Sequence, residues 1–125
     1  MPSRVFIIEQ PEAAKNGWLP DLSSAQKYGT LIPIFTRSDR PALRPSTAIT
    51  KAQRVLESFS PADHILWTGG DPCGLAIIMA VLGKRHEVIS FLKWENYRDE
   101  MGNRNGTGYY APIHLNLTEE QNHDD

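Results

Sequence analysis

Apolar residues in this chain fall into short continuous runs and two helical stripes, and the two spacings predict different elements. Arg4–Glu9 (RVFIIE) is β-branched and aromatic, does not alternate, and closes at Gln10-Pro11. Such a run predicts a strand buried on both faces. Thr30–Thr36 (TLIPIFT) predicts a second strand; Pro33 has no N–H for a ladder, so this strand is expected to lie at an edge or to carry a break. His64–Thr68 predicts a third strand and Glu87–Trp94 a fourth. In Tyr109–Leu117 the residues Tyr109, Ala111, Ile113, Leu115 and Leu117 alternate with Tyr110, Pro112, His114 and Asn116. That period of two predicts a half-exposed fifth strand.

The helical signals lie between these runs. Asp21 or Ser23 is placed to cap a short helix through Tyr28 that stops at Gly29, with Leu22, Ala25 and Tyr28 inward. Ser46 is read as the cap of a helix over Thr47–Phe59. Ile49, Ala52, Val55, Leu56 and Phe59 share one face of it, and Lys51 and Arg54 point away. Gly69-Gly70 turns the chain out of the third strand. Asp71 is a cap, Pro72 a first helical residue, and the helix runs to about Leu82 with Gly83, Lys84 and Arg85 at its end. It is apolar almost all round, which predicts deep packing.

Strands alternating with helices predict an α/β fold. The expectation is a single three-layer domain over residues 1–117 with a five-stranded, mostly parallel sheet. Its order is 2-1-3-4-5, and the C-terminal edge strand pairs antiparallel with the fourth across a polar, glycine-containing loop at 96–108. A length of 125 residues suits one domain.

Composition narrows the function classes. With 40% hydrophobic residues the chain can bury a core. Its longest nearly apolar run, Leu75–Leu82, is too short to cross a bilayer, and MPSRVFIIEQ lacks the core of a secretory signal. Cytoplasmic localisation without membrane contact is expected. The single cysteine, Cys73, excludes an intramolecular disulfide, and His64, His86, His114 and His123 lack metal-ligand spacing, so no metal and no cofactor are expected. The net charge of −2 conceals a division: residues 118–125 carry −4, leaving 13 basic and 11 acidic residues over 1–117. The acidic tail 118–125 is expected to be solvated and flexible.

Several short motifs, RVFIIEQP, DLSSAQKYG, GGDP opening an apolar helix, FLKW and YAPIHLNL, spread over residues 4–117. Together they resemble a family of small α/β proteins encoded by tailed bacteriophages. The segment Glu95–Gly108 is longer here than in that pattern. The resemblance implies a phage genomic context; it implies no activity and carries no catalytic residues over.

Two kinds of site are legible. The Gly69-Gly70-Asp71-Pro72 turn presents free amides at a strand-exit edge, where α/β proteins bind ligands. A nucleotide or phosphate there would contact Glu9, Gly69, Gly70, Asp71, Cys73 and Gly74, and Glu9 with Asp71 could hold Mg²⁺. Against this, Asp71 is itself an ideal cap whose carboxylate would take the anion position, and the lysine and Ser/Thr of a Walker loop are absent. A Cys73 nucleophile would need a base from His64 or His114. The second kind is an interaction surface. Arg37, Arg40, Arg44, Lys51 and Arg54 form a basic stretch opposed by Asp39 alone, and Trp18, Trp94, Tyr97, Tyr109 and Tyr110 lie in or near loops. No nucleic-acid motif accompanies them. The reading preferred from sequence is a non-catalytic accessory protein that contacts a host or phage protein, with self-association open. A ligand protein is expected to show a pocket at the strand-exit edge; an interaction protein is expected to show that edge filled and apolar patches elsewhere.

Overall fold

The computed structural model describes residues 2–13, 15, 17 and 21–118, the side chains of 104–106 excepted. Trp18 and the tail from 119 onward lie outside the described residues. One sheet contains β1 (Arg4–Glu9), β2 (Thr30–Phe35), β3 (His64–Leu66), β4 (Val88–Arg98) and β5 (Arg104–Asn116) in the order β2-β1-β3-β4-β5. The first three pairings are parallel, and β4 and β5 are antiparallel, as expected from the sequence.

β1 lies inside the sheet between β2 and β3, with Val5, Phe6, Ile7 and Ile8 all buried. Its even positions join the larger core, Phe6 and Ile8 with Ile34, Ile65 and Ile89, beneath α1 (Pro45–Val55) and α2 (Pro72–Gly83). Its odd positions join a smaller core, Val5 and Ile7 with Leu66, Leu92 and Tyr110. That face is closed by Leu22, Ala25 and Tyr28 of a 3₁₀ turn at Ser23–Tyr28. The third layer is therefore thin. Residue 21 supports the turn from outside it, its carboxylate accepting the Ser23 N–H at 2.9 Å.

Several boundaries depart from the sequence reading. α1 begins at Pro45 with Arg44 at the cap position, and no side chain caps it. Ser46 is inside the helix, and its carbonyl accepts from the Thr50 hydroxyl at 3.1 Å. α1 ends at Val55; Leu56 and Phe59 still reach the core, through the turn that follows. Ile49, expected on the inner face, is 39% exposed. β3 stops at Leu66 because Gly69 and Gly70 both take positive φ (112° and 99°), a conformation glycine adopts without strain. This leaves Trp67 43% exposed, outside the strand predicted to contain it.

The largest departure is at 96–108. Most of this polar segment is strand: β4 runs on to Arg98 and β5 starts at Arg104. Asp99 closes the hairpin. Its carboxylate accepts the N–H groups of Met101 and Asn103, both at 2.9 Å, and Gly102 takes the positive φ of the turn.

A buried ion pair locks the opposite, N-terminal edge of the parallel strands. Asp63 is 1% exposed. It accepts the Arg4 N–H at 2.8 Å, the Arg4 guanidinium at 2.9 Å and the Ser60 N–H at 2.8 Å. Burial alone would raise this carboxyl, but the hydrogen bonds from Arg4 and Ser60 outweigh it and hold Asp63 below the usual carboxylate range.

Candidate functional site

The GGDP turn forms as the sequence predicts. Asp71 caps α2, its Oδ1 accepting the Cys73 N–H at 2.9 Å with Pro72 in the first turn. Glu9 does come to the same edge. Its Oε1 accepts the Asp71 N–H at 3.3 Å, and its carboxylate fills the hollow over Gly70, 2.6 Å from where a Cβ on that glycine would stand. The anion position of the turn thus holds a carboxylate of the chain itself.

The second oxygen of Asp71 is also committed. Oδ2 accepts the Ala42 N–H at 3.0 Å and ties α2 to the loop between β2 and α1. The two amide bonds, Cys73 first and then Ala42, hold the Asp71 carboxyl below its usual value. Gly74 is buried, and a Cβ there would come within 3.3 Å of the Phe35 ring, so its smallness serves helix–sheet packing. Cys73 is exposed. His64 starts β3, at the other end from the turn, and His114 Nδ1 is 2.7 Å from the Ser90 hydroxyl. Neither is brought to Cys73 as a base.

The basic stretch sits beside this turn. A second 3₁₀ turn at Arg37–Asp39 follows β2. Asp39 Oδ2 accepts the Thr36 N–H at 2.7 Å and the Lys51 ammonium at 2.8 Å. Burial pushes the Asp39 carboxyl up, and Lys51 and Thr36 together bring it below its usual value. Arg40 takes a left-handed conformation (φ 43°), and its carbonyl accepts the N–H groups of Leu43 and Arg44 at 2.9 and 3.0 Å. Asp39 and Asp71 therefore pin the loop from both sides. Of its cations, Lys51 is spent on Asp39, and Arg37 lies 3.6 Å from Glu12 in an exposed pair. The side chains of Arg40, Arg44 and Arg54 are exposed and make no ion pair or hydrogen bond with the described residues.

A cavity of about 1060 Å³ lies elsewhere, where β3 ends and β4 continues alone. Trp67, Leu75, Met79, Phe91, Ile113 and Leu115 line its side toward α2, and it reaches Trp94 and Tyr110 across the sheet. None of Glu9, Gly69, Gly70, Asp71, Cys73 and Gly74 lines it. Sequence reasoning placed Trp67 in a buried strand and α2 in a deep core, and so missed this groove. α2 buries only Gly74, Ile78 and Leu82. The usable signal was an all-apolar helix in a chain with only two long helical patterns to cover five strands.

Among the described residues no group of three or more His, Cys, Asp or Glu side chains is placed to hold a metal ion, and no helix is long and apolar enough to cross a membrane. No curated protein and no solved structure matches the chain. The family described as Phage Pam3 gp32-like protein matches over residues 3–105, which takes in β1 to β4 and the start of β5. With most of its length matched, the chain belongs to the Phage Pam3 gp32-like protein family.

Proposed function

We propose that this protein is a non-catalytic accessory factor that acts in the host cytoplasm during infection and binds an acidic surface of a host or phage protein through its β2–α1 loop. One observation carries the reading: the loop is pinned by Asp39 and Asp71 while Arg40, Arg44 and Arg54 make no ion pair or side-chain hydrogen bond with the described residues. Arginine on a rigid support loses little freedom on binding and suits carboxylate recognition. The GGDP turn supports the same reading, because Glu9 and Asp71 already take the amides that an anionic ligand there would need.

The test is capture of partners from infected-host lysate with the wild type and with an Arg40→Glu/Arg44→Glu double variant. The reading expects a partner held by the wild type, released by moderate salt, and not held by the folded double variant. Equal capture by both overturns it. The rival ligand reading is tested by thermal unfolding with nucleotides and inorganic phosphate, with and without Mg²⁺. A selective rise in midpoint that disappears in Asp71→Asn would replace the accessory reading with a nucleotide- or phosphate-binding one.

A further inference from the structure

The groove beside α2 has a topological origin. A parallel crossover brings a helix that covers the strands it joins, whereas a hairpin brings none. β4 returns directly as β5, so the side of this pair toward the α1–α2 layer has no helix of its own. Phe91 faces Ile113 and Ile89 faces Leu115 across the ladder, which puts these residues on the α-helical side of the sheet. Ile113, Leu115 and Trp67 are 38%, 40% and 43% exposed there. α2 carries no charged side chain, and its Leu75 and Met79 form the opposite wall. A helix apolar all round belongs in a covered position, and one side of this helix has no cover.

We propose that a second copy of this chain supplies the cover, the two copies packing groove to groove about a two-fold axis. Size is the first reason. Tyr109–Leu117 extends about 30 Å, and two strands with the flanking helix are about 20 Å across. A footprint of roughly 600 Å² approaches the ~800 Å² that each partner contributes to a standard stable interface. Charge is the second. Lys93, on the groove side of β4 with Phe91, is paired with Glu95 at 2.7 Å, so identical faces escape the repulsion of a single-sign rim. An isologous contact needs this self-compatibility.

The third reason sets the geometry. Leu117 donates to the Glu87 carbonyl at 2.7 Å, so odd residues of β5 turn their backbone groups to β4 and even residues turn theirs to the open edge. Pro112 is among the even residues and removes a donor from the middle of that edge. A proline there blocks extension of the sheet by a neighbouring strand, and packing by the face remains. The contact uses none of the basic-loop arginines, so it stands or falls separately from the proposed acidic partner.

Sedimentation velocity of the full chain over a wide concentration range tests this. The expected wild type is a dimer that dissociates on dilution. Ile113→Lys and Leu115→Lys are expected to be monomeric with wild-type circular dichroism, and Val88→Lys, exposed on the other side of the sheet, to remain dimeric. If either strand variant fails to fold, Trp67→Ser, outside the ladders, takes its place. A wild type that stays monomeric overturns the proposal and leaves the face to a different protein. A dimer that persists in the folded groove variants also overturns it.

Discussion

The carboxylate of Glu9 lies where a side chain on Gly70 would begin, with its Cδ 2.6 Å from the position of a Cβ. The glycine is thus needed twice, for φ of 99° and for the space that Glu9 fills. Gly70→Ala is expected to destabilise by roughly 1–3 kcal/mol through backbone strain, with a further loss while Glu9 keeps its place. Adding Glu9→Ala should recover the steric part and leave the strain. Urea unfolding of the two single variants and the double checks this; strictly additive losses would show that Glu9 does not occupy the hollow.

Asp71 is expected to be more than a helix cap, since its two oxygens hold two segments, through Cys73 and Ala42. Asp71→Ala should lower the unfolding midpoint and also speed hydrogen exchange at the Ala42 amide in the folded state. Asp71→Asn, which keeps one acceptor oxygen, should spare one of the two contacts. Unchanged exchange at Ala42 in Asp71→Ala would mean that the loop is held by Asp39 alone.

The sheet order was legible because each strand carried a local signal: unbroken apolar runs for β1 and β3, Pro33 for the edge, and alternation for β5. The hairpin was not, because an exposed two-stranded ribbon buries neither face and leaves no period to read over Glu95–Gly108. Gly69 and Gly70 marked a turn but not that both would take positive φ and end β3 at Leu66. Of the site, the Asp71 cap was readable from its neighbours. The contacts Glu9–Gly70, Asp71–Ala42 and Arg4–Asp63 join residues far apart in sequence and have no local signature. The groove was hidden for the same reason, since it depends on which strands lack a helix above them.

Arg4 and Asp63 make a polar contact that ties the start of β1 to the turn before β3. The Arg4 guanidinium is 26% exposed and keeps Ser58, so the main loss in Asp63→Ala is the acceptor of the Arg4 and Ser60 N–H groups, expected to cost about 1–3 kcal/mol. The same carboxylate sets an acid limit. Its folded pKa is depressed, so its stabilisation is fully present above the unfolded value of about 3.9 and is lost as pH falls through the lower folded value. Chemical unfolding between pH 5 and pH 2 should show this loss in the wild type and a smaller one in a folded Asp63→Asn variant. Parallel curves would assign the acid sensitivity to other carboxylates.

A second pH effect is expected at milder acidity. His64 Nδ1 is buried and finds no hydrogen-bond partner among the described residues, and the Tyr28 ring packs at 5.3 Å between centroids. Burial first, and then the charge of His114 from β5, lower the His64 pKa, while neighbouring Asp63 opposes them. The unfolded chain, with an ordinary histidine near 6.5, binds the proton more readily than the folded one. Stability from this group is therefore complete above the unfolded value and declines as pH falls from it toward the lower folded value. The unfolding midpoint should drop between about pH 7 and pH 5, before the carboxylates of the preceding prediction titrate. His64→Leu should flatten that part of the curve, and His114→Gln should make the drop smaller, because without the His114 charge the folded His64 pKa lies closer to the unfolded value. A midpoint that stays level across this range in the wild type would show that His64 titrates alike in the folded and unfolded chains.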